Sequence, residues 1–131
     1  MDVRSIRDIA PVMEHQGTTK VWWIYKPREL FDQTVGGHLE LIDEFEVAGG
    51  GAVHPHSHPT TEFYYVTSGR GKMVIEDEER EIGPGDLVLI PPDAVHSIAP
   101  ISANAPIHCF CFAMGVKDAA PYDYSYDQSQ E

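Results

Sequence analysis

Residues 50–69 read GGAVHPHSHPTTEFYYVTSG, and this run decides the fold. His54, His56 and His58 occupy every second position, followed by Glu62 and the aromatic run Phe63-Tyr64-Tyr65. In an extended chain, residues two apart point to the same side, so a strand here sets the three imidazoles on one face. Pro59-Thr60-Thr61 suits a tight turn because proline presets φ. Glu62 is then expected back on the partner strand, with its carboxylate near the imidazoles. A further imidazole, His96, follows the turn Pro91-Pro92-Asp93. Neutral imidazoles with one carboxylate suit a single divalent transition metal: Fe, Mn, Ni, Co or Zn. Taken alone, a cluster of histidines is a compositional cue that a surface loop also produces.

The wider spacing adds a second signal. Gly50, His56-x-His58, Glu62 and Gly69 form one motif (residues 50–69), and Gly85, Pro91 and His96 begin a second (residues 85–100). In both the chain resembles the cupin superfamily. Asp93 stands where that family usually has glycine, and Pro100 where it usually has asparagine. These departures touch a turn and a structural hydrogen bond, not a ligand. The resemblance implies an all-β, single-domain jelly-roll barrel over residues 1–131, with little helix. It also implies a metal held by His56, His58, Glu62 and His96 inside one open end, and a homodimer.

Composition fits this picture. A chain of 131 residues suits one domain, and 42% hydrophobic with 23% charged residues suits a globular core. A formal charge of -12 argues against nucleic acid, which needs a basic face, and against anionic membranes. No apolar run approaches the ~20 residues of a membrane span, and no leader opens the chain. The only cysteines, Cys109 and Cys111, lie two apart in an apolar strand, so no disulfide framework is expected and a cytoplasmic location is the default.

Outward from the motifs, 1–16 reads as an N-terminal arm, with Ser5 as a helix cap and Ile6 and Ile9 on one side of a short turn. Thr18–Tyr25 reads as a strand with Trp22 and Ile24 on one face and Trp23 and Tyr25 on the other; Trp22 is a candidate pocket residue. A loop over 26–37 leads to a strand at His38–Val47. Pro55 removes a ladder donor and predicts a bulge or an edge position. Strands follow at Thr61–Ser68, around Lys72–Glu76 and at Leu87–Ile90, with a charged hairpin tip at Asp77-Glu78-Glu79. In the last strand, Pro106–Met114, His108 shares a face with Phe110 and Phe112, while the cysteines are expected in the core. The tail, 117–131, is polar and acidic.

His54, Trp22 and His108 are expected to line the pocket or orient ligands, since ligating imidazoles donate their other N–H to an acceptor. Tyr64 is two residues past Glu62, so a strand puts both on one face and makes its phenol a candidate acid or base. The Glu-x-Tyr step also resembles the short cupin-type dimethylsulfoniopropionate lyases, where the matching tyrosine is the implied base. The expected function is a mononuclear metal enzyme acting on a small polar metabolite by Lewis-acid chemistry, of lyase or isomerase type. An Fe(II)-dependent dioxygenase and a non-catalytic ligand-binding cupin are the alternatives. A serine hydrolase lacks its Gly-x-Ser-x-Gly elbow.

Overall fold

A computed structural model describes residues 2, 4, 6–29 and 38–115. Ten strands follow a single 3-10 turn at Ile6–Asp8: β1 (Val12–Glu14), β2 (Thr19–Tyr25), β3 (His38–Val47), β4 (Val53–His56), β5 (Thr61–Ser68), β6 (Gly71–Ile75), β7 (Glu78–Ile82), β8 (Leu87–Ile90), β9 (His96–Pro100) and β10 (Ile107–Gly115). They form the expected all-β barrel. One sheet has the order β1-β2-β3-β10-β5-β8 and the other β4-β9-β6-β7, with every pairing antiparallel. Among the described residues no helix is long and apolar enough to cross a membrane.

Alternation explains which side chains meet inside. On the six-stranded sheet, register aligns Trp23, Asp43, Cys111 and Tyr64 in one row across β2, β3, β10 and β5. The adjoining rows are Leu41-Ala113-Glu62-Ile90 and Val21-Phe45-Cys109-Val66. All but Trp23 are buried. The inner faces therefore read as an apolar core into which two carboxyl residues, Asp43 and Glu62, intrude. Both cysteines are buried and unbridged, as the apolar strand predicts.

Turn chemistry fixes the strand ends. Gly69 has φ 81°, and a Cβ there would strike the Pro106 carbonyl, so the turn into β6 needs glycine. Asp93, at the position where glycine is usual, takes φ 64° and donates its amide to the His58 carbonyl at 2.9 Å. Aspartate is among the few side-chain-bearing residues that tolerate this left-handed region.

Four expectations need correction. The arm over 1–16 contains a strand, β1, pairing with β2, that its mixed pattern concealed; Ser5 lies outside the described residues, as do 30–37 and the tail. Glu62 does not return on the partner strand of the histidine run, because β4 pairs with β9 and β5 belongs to the other sheet. The three imidazoles do not share a face: the ladder is irregular between Val53 and His56, where Pro55 supplies no donor. The acidic hairpin turns at Glu76-Asp77, and Glu78 and Glu79 already lie in β7.

Candidate metal centre

The bend after His58 carries the chain from one sheet to the other, and this crossing assembles the site. His56 ends β4 and pairs directly with His96, the first residue of β9, with ring centroids 4.4 Å apart. His58 follows in the linker, and Glu62 faces them from β5 on the opposite sheet. One ligand atom each from His56, His58 and His96 lies within 4.8 Å of the others, so the three could hold a metal ion. His58 and His96 are buried and His56 half-buried.

Hydrogen bonds orient the rings. His56 Nδ1 donates to the His54 carbonyl at 2.7 Å, and His96 Nδ1 to the Ala94 carbonyl at 2.9 Å. A carbonyl only accepts, so both rings carry their proton on Nδ1 and their lone pair on Nε2. His58 Nδ1 lies 2.9 Å from Thr60 Oγ1, a hydroxyl that can donate or accept. Backbone and hydroxyl groups thus hold the outward nitrogens, as in imidazoles prepared for metal binding.

Glu62 lies beside two of the three rings. Its Oε1 lies 3.1 Å from His58 Nε2 and 3.4 Å from His96 Nε2. Oε1 and His96 Nε2 are nevertheless buried without any hydrogen-bond partner. Two acceptor atoms facing each other in a dry interior are unfavourable, and a cation between them would relieve both. The donor set therefore fits a divalent transition metal. The other carboxylate oxygen, Oε2, accepts from the Cys111 thiol at 3.4 Å, which turns Oε1 toward the imidazoles. Burial works to raise the Glu62 carboxyl, but His58 and His96, when their rings are protonated, more than offset it by hydrogen bonding and charge and leave it below the usual carboxylate range. Burial, reinforced by His96, lowers His56 to about 4, so it is neutral and able to ligate at pH 7.

A cavity of about 50 Å³ opens beside the cluster, lined by His56, His58, Glu62 and Tyr64. That exceeds the ~10–15 Å³ a single water needs, so the space is open to something larger than one water. Tyr64 is buried one row from Glu62, edge-on to Phe45 at 4.9 Å, and burial followed by the Glu62 charge holds its proton firmly.

Of the three remaining candidates, His54 gives the site its carbonyl rather than its ring, which lies 5.6 Å from that of His15. Trp22 and His108 do not line the cavity. They pack together on the outer face of the sheet, 5.6 Å apart, where His108 Nε2 lies 2.9 Å from Glu44 Oε1. Inward and outward alternate along a strand, so Trp23, the neighbour of Trp22, is the tryptophan in the wall.

Glu14, His15 and Asp43 also line the cavity and were missed. The His54 amide donates to His15 Nδ1 at 3.1 Å, and burial with the neighbouring imidazoles lowers His15 to about 4. For Asp43 a signal existed: it shares strand parity with Leu41 and Phe45, an acid on a core face. For Glu14 and His15 there was none, because a three-residue edge strand has too few positions to show a period.

Comparison with known proteins places this architecture. The cupin domain family matches residues 43–112. An uncharacterized protein of Methanocaldococcus jannaschii is 35% identical over 86 residues, 64% of this chain and 68% of that protein. Among solved structures, a predicted oxalate decarboxylase from Thermotoga maritima superposes with a TM-score of 0.73 at 20% identity, covering 88% of this chain and all of that one. The polyketide cyclase RemF from Streptomyces resistomycificus gives 0.63 at 22% identity, covering 92% and 82%. At these identities the two structures share a fold with this chain, and nothing finer follows from them.

Proposed function

The chain belongs to the cupin domain family, and from that premise we propose that it is a mononuclear metal-dependent enzyme acting on a small polar metabolite. His56, His58, His96 and Glu62 are its ligands. The observation that carries this reading is the pair of orphaned buried atoms, Glu62 Oε1 and His96 Nε2, aimed at one point. A divalent ion there supplies Lewis acidity to an oxygen-bearing ligand, the basis of lyase or isomerase chemistry. The protein's own groups do the rest. The carbonyls of His54 and Ala94 lock two rings, and the Cys111 thiol turns the carboxylate. Tyr64 brings a phenol into the same cavity, where it is a candidate for proton transfer at an oxygen.

Two further assignments belong to this reading. The outer face of β5, β8 and β10 presents exposed Tyr65, Leu87, Leu89 and Met114 beside a stacked Phe63–Phe112 pair, the kind of contiguous apolar surface through which two copies pair. The buried free thiols Cys109 and Cys111 fit a reducing compartment, the cytoplasm.

The test is elemental analysis of purified wild type and of the His56→Ala, His58→Ala double variant. Wild type is expected to carry about one transition-metal ion per chain and the folded variant almost none; equal content in the two would end the proposal. Tyr64→Phe should retain the wild-type metal content. An oxygen electrode with an Fe(II)-loaded sample separates elimination, which consumes no dioxygen, from oxygenation.

A further inference from the structure

The metal cluster accounts for one end of the cavity. The rest of the lining has a charge pattern of its own. Asp43 projects from β3 into the cavity between Trp23 of β2 and Cys111 of β10, its cross-strand neighbours. It is 6% exposed, and Oδ1 is wholly buried with no hydrogen-bond partner. Glu14 of β1 lines the same space. Among the described residues no lysine or arginine lines it, and its histidines are His15, His56 and His58. Beyond Glu62, then, the wall offers the carboxyl groups of Asp43 and Glu14 and no lysine or arginine.

A buried carboxyl oxygen without a partner is costly, because desolvation takes its hydrogen bond to water and nothing replaces it. Such a group is retained where a ligand supplies the missing partner. An anionic end of a ligand would meet repulsion there, whereas an ammonium would give both a charge and a donor. The metal end has the opposite preference, since an oxygen donor is what a hard or borderline cation takes. The two ends of the cavity thus ask for different chemistry in one small molecule.

We propose that the cavity selects a small ligand bearing a protonated amine, its oxygen end toward the His56, His58, His96 and Glu62 cluster and its ammonium on Asp43. This rests on the metal reading above and narrows its substrate class: a dicarboxylate would present its second anionic group to Asp43 and Glu14 and is disfavoured.

Three probes of equal skeleton test it: β-alanine, butyrate and succinate, which end in ammonium, methyl and carboxylate respectively. Each is titrated calorimetrically into Zn(II)-loaded protein at pH 7, using wild type, Asp43→Asn and Asp43→Leu. The zinc content of every sample is measured alongside. Wild type is expected to bind β-alanine at least tenfold more tightly than butyrate and to bind succinate weakest. Both variants should cut the β-alanine preference to under threefold while leaving butyrate within twofold of wild type. Any advantage that β-alanine owes to chelation by its amine survives in the variants, so only the part they lose counts toward Asp43. Equal binding of β-alanine and butyrate, an unchanged ratio in the variants, or no heat from any probe overturns the proposal. Each of these outcomes with one zinc per chain leaves the metal reading intact. Zinc-free protein sinks the metal reading, and the same titrations on that protein still decide Asp43: a β-alanine preference lost in the variants supports the assignment, and its absence overturns it. Two variants guard against misfolding, because Asp43→Leu keeps the side-chain shape and each is checked by its melting curve.

Discussion

Replacing Asp43 with leucine should make the ligand-free protein more stable, the reverse of what most core substitutions do. Burial, followed by the charges of Glu62, Glu14 and Glu44, holds the Asp43 carboxyl well above its usual range, so an ionised Asp43 is costly in the empty cavity wall. Its Oδ1 finds no partner, and such a group costs about 1–3 kcal/mol. Leucine has the same branching and no polar atom. The adjoining cavity of about 50 Å³ absorbs the small difference in volume, so overpacking does not cancel the gain. With an unfolding entropy of about 2.1 cal/mol/K per residue, each kcal/mol shifts the midpoint of a chain of this length by roughly 3–4 °C. The expected rise is therefore about 4–10 °C, read by differential scanning calorimetry on metal-stripped protein at pH 7. Asp43→Asn should gain less, since an amide there also lacks partners. A fall in midpoint for Asp43→Leu would refute the reasoning, because it would mean that the carboxyl is satisfied inside the wall and makes a net contribution to folding.

Two further outcomes follow from the same fold. His15 and His56 are held at about 4, while the unfolded chain titrates near 6.5, so between these values the unfolded state binds more protons. Metal-stripped protein should be fully stable above about pH 6.5 and lose stability as pH falls toward 4, by up to about 1.4 kcal/mol per unit for each imidazole; urea midpoints that do not move between pH 7 and 4.5 would contradict this. Leu89→Glu on the outer face of β8 should convert a dimer to monomer without lowering metal content, and light scattering coupled to size exclusion reads the result. Wild type running as a monomer would remove the pairing surface.

Much of this molecule was legible along the chain. Strands β3, β5 and β8 fall where alternation and turn residues put them, because local sterics and burial on one face act over neighbouring residues. His56, His58, Glu62 and His96 were legible too, since their spacing repeats a family pattern, and the structure brings the three histidines together with Glu62 beside His58 and His96. Pro55 announced a bulge, and the bulge duly appears. What the bulge does to His54 was not legible: one ladder irregularity sends its ring to His15 and leaves only its carbonyl for His56.

The sequence by itself determined most of the strands and turns and marked the groups of the candidate metal site, because each depends on residues close together in the chain. Only the tertiary structure decided which tryptophan faces inward, that Glu62 reaches the imidazoles from the opposite sheet, and that Glu14, His15 and Asp43 share their cavity. Those facts depend on how two sheets are laid face to face. Pairing between strands far apart in sequence sets that register, and local periodicity carries no information about it.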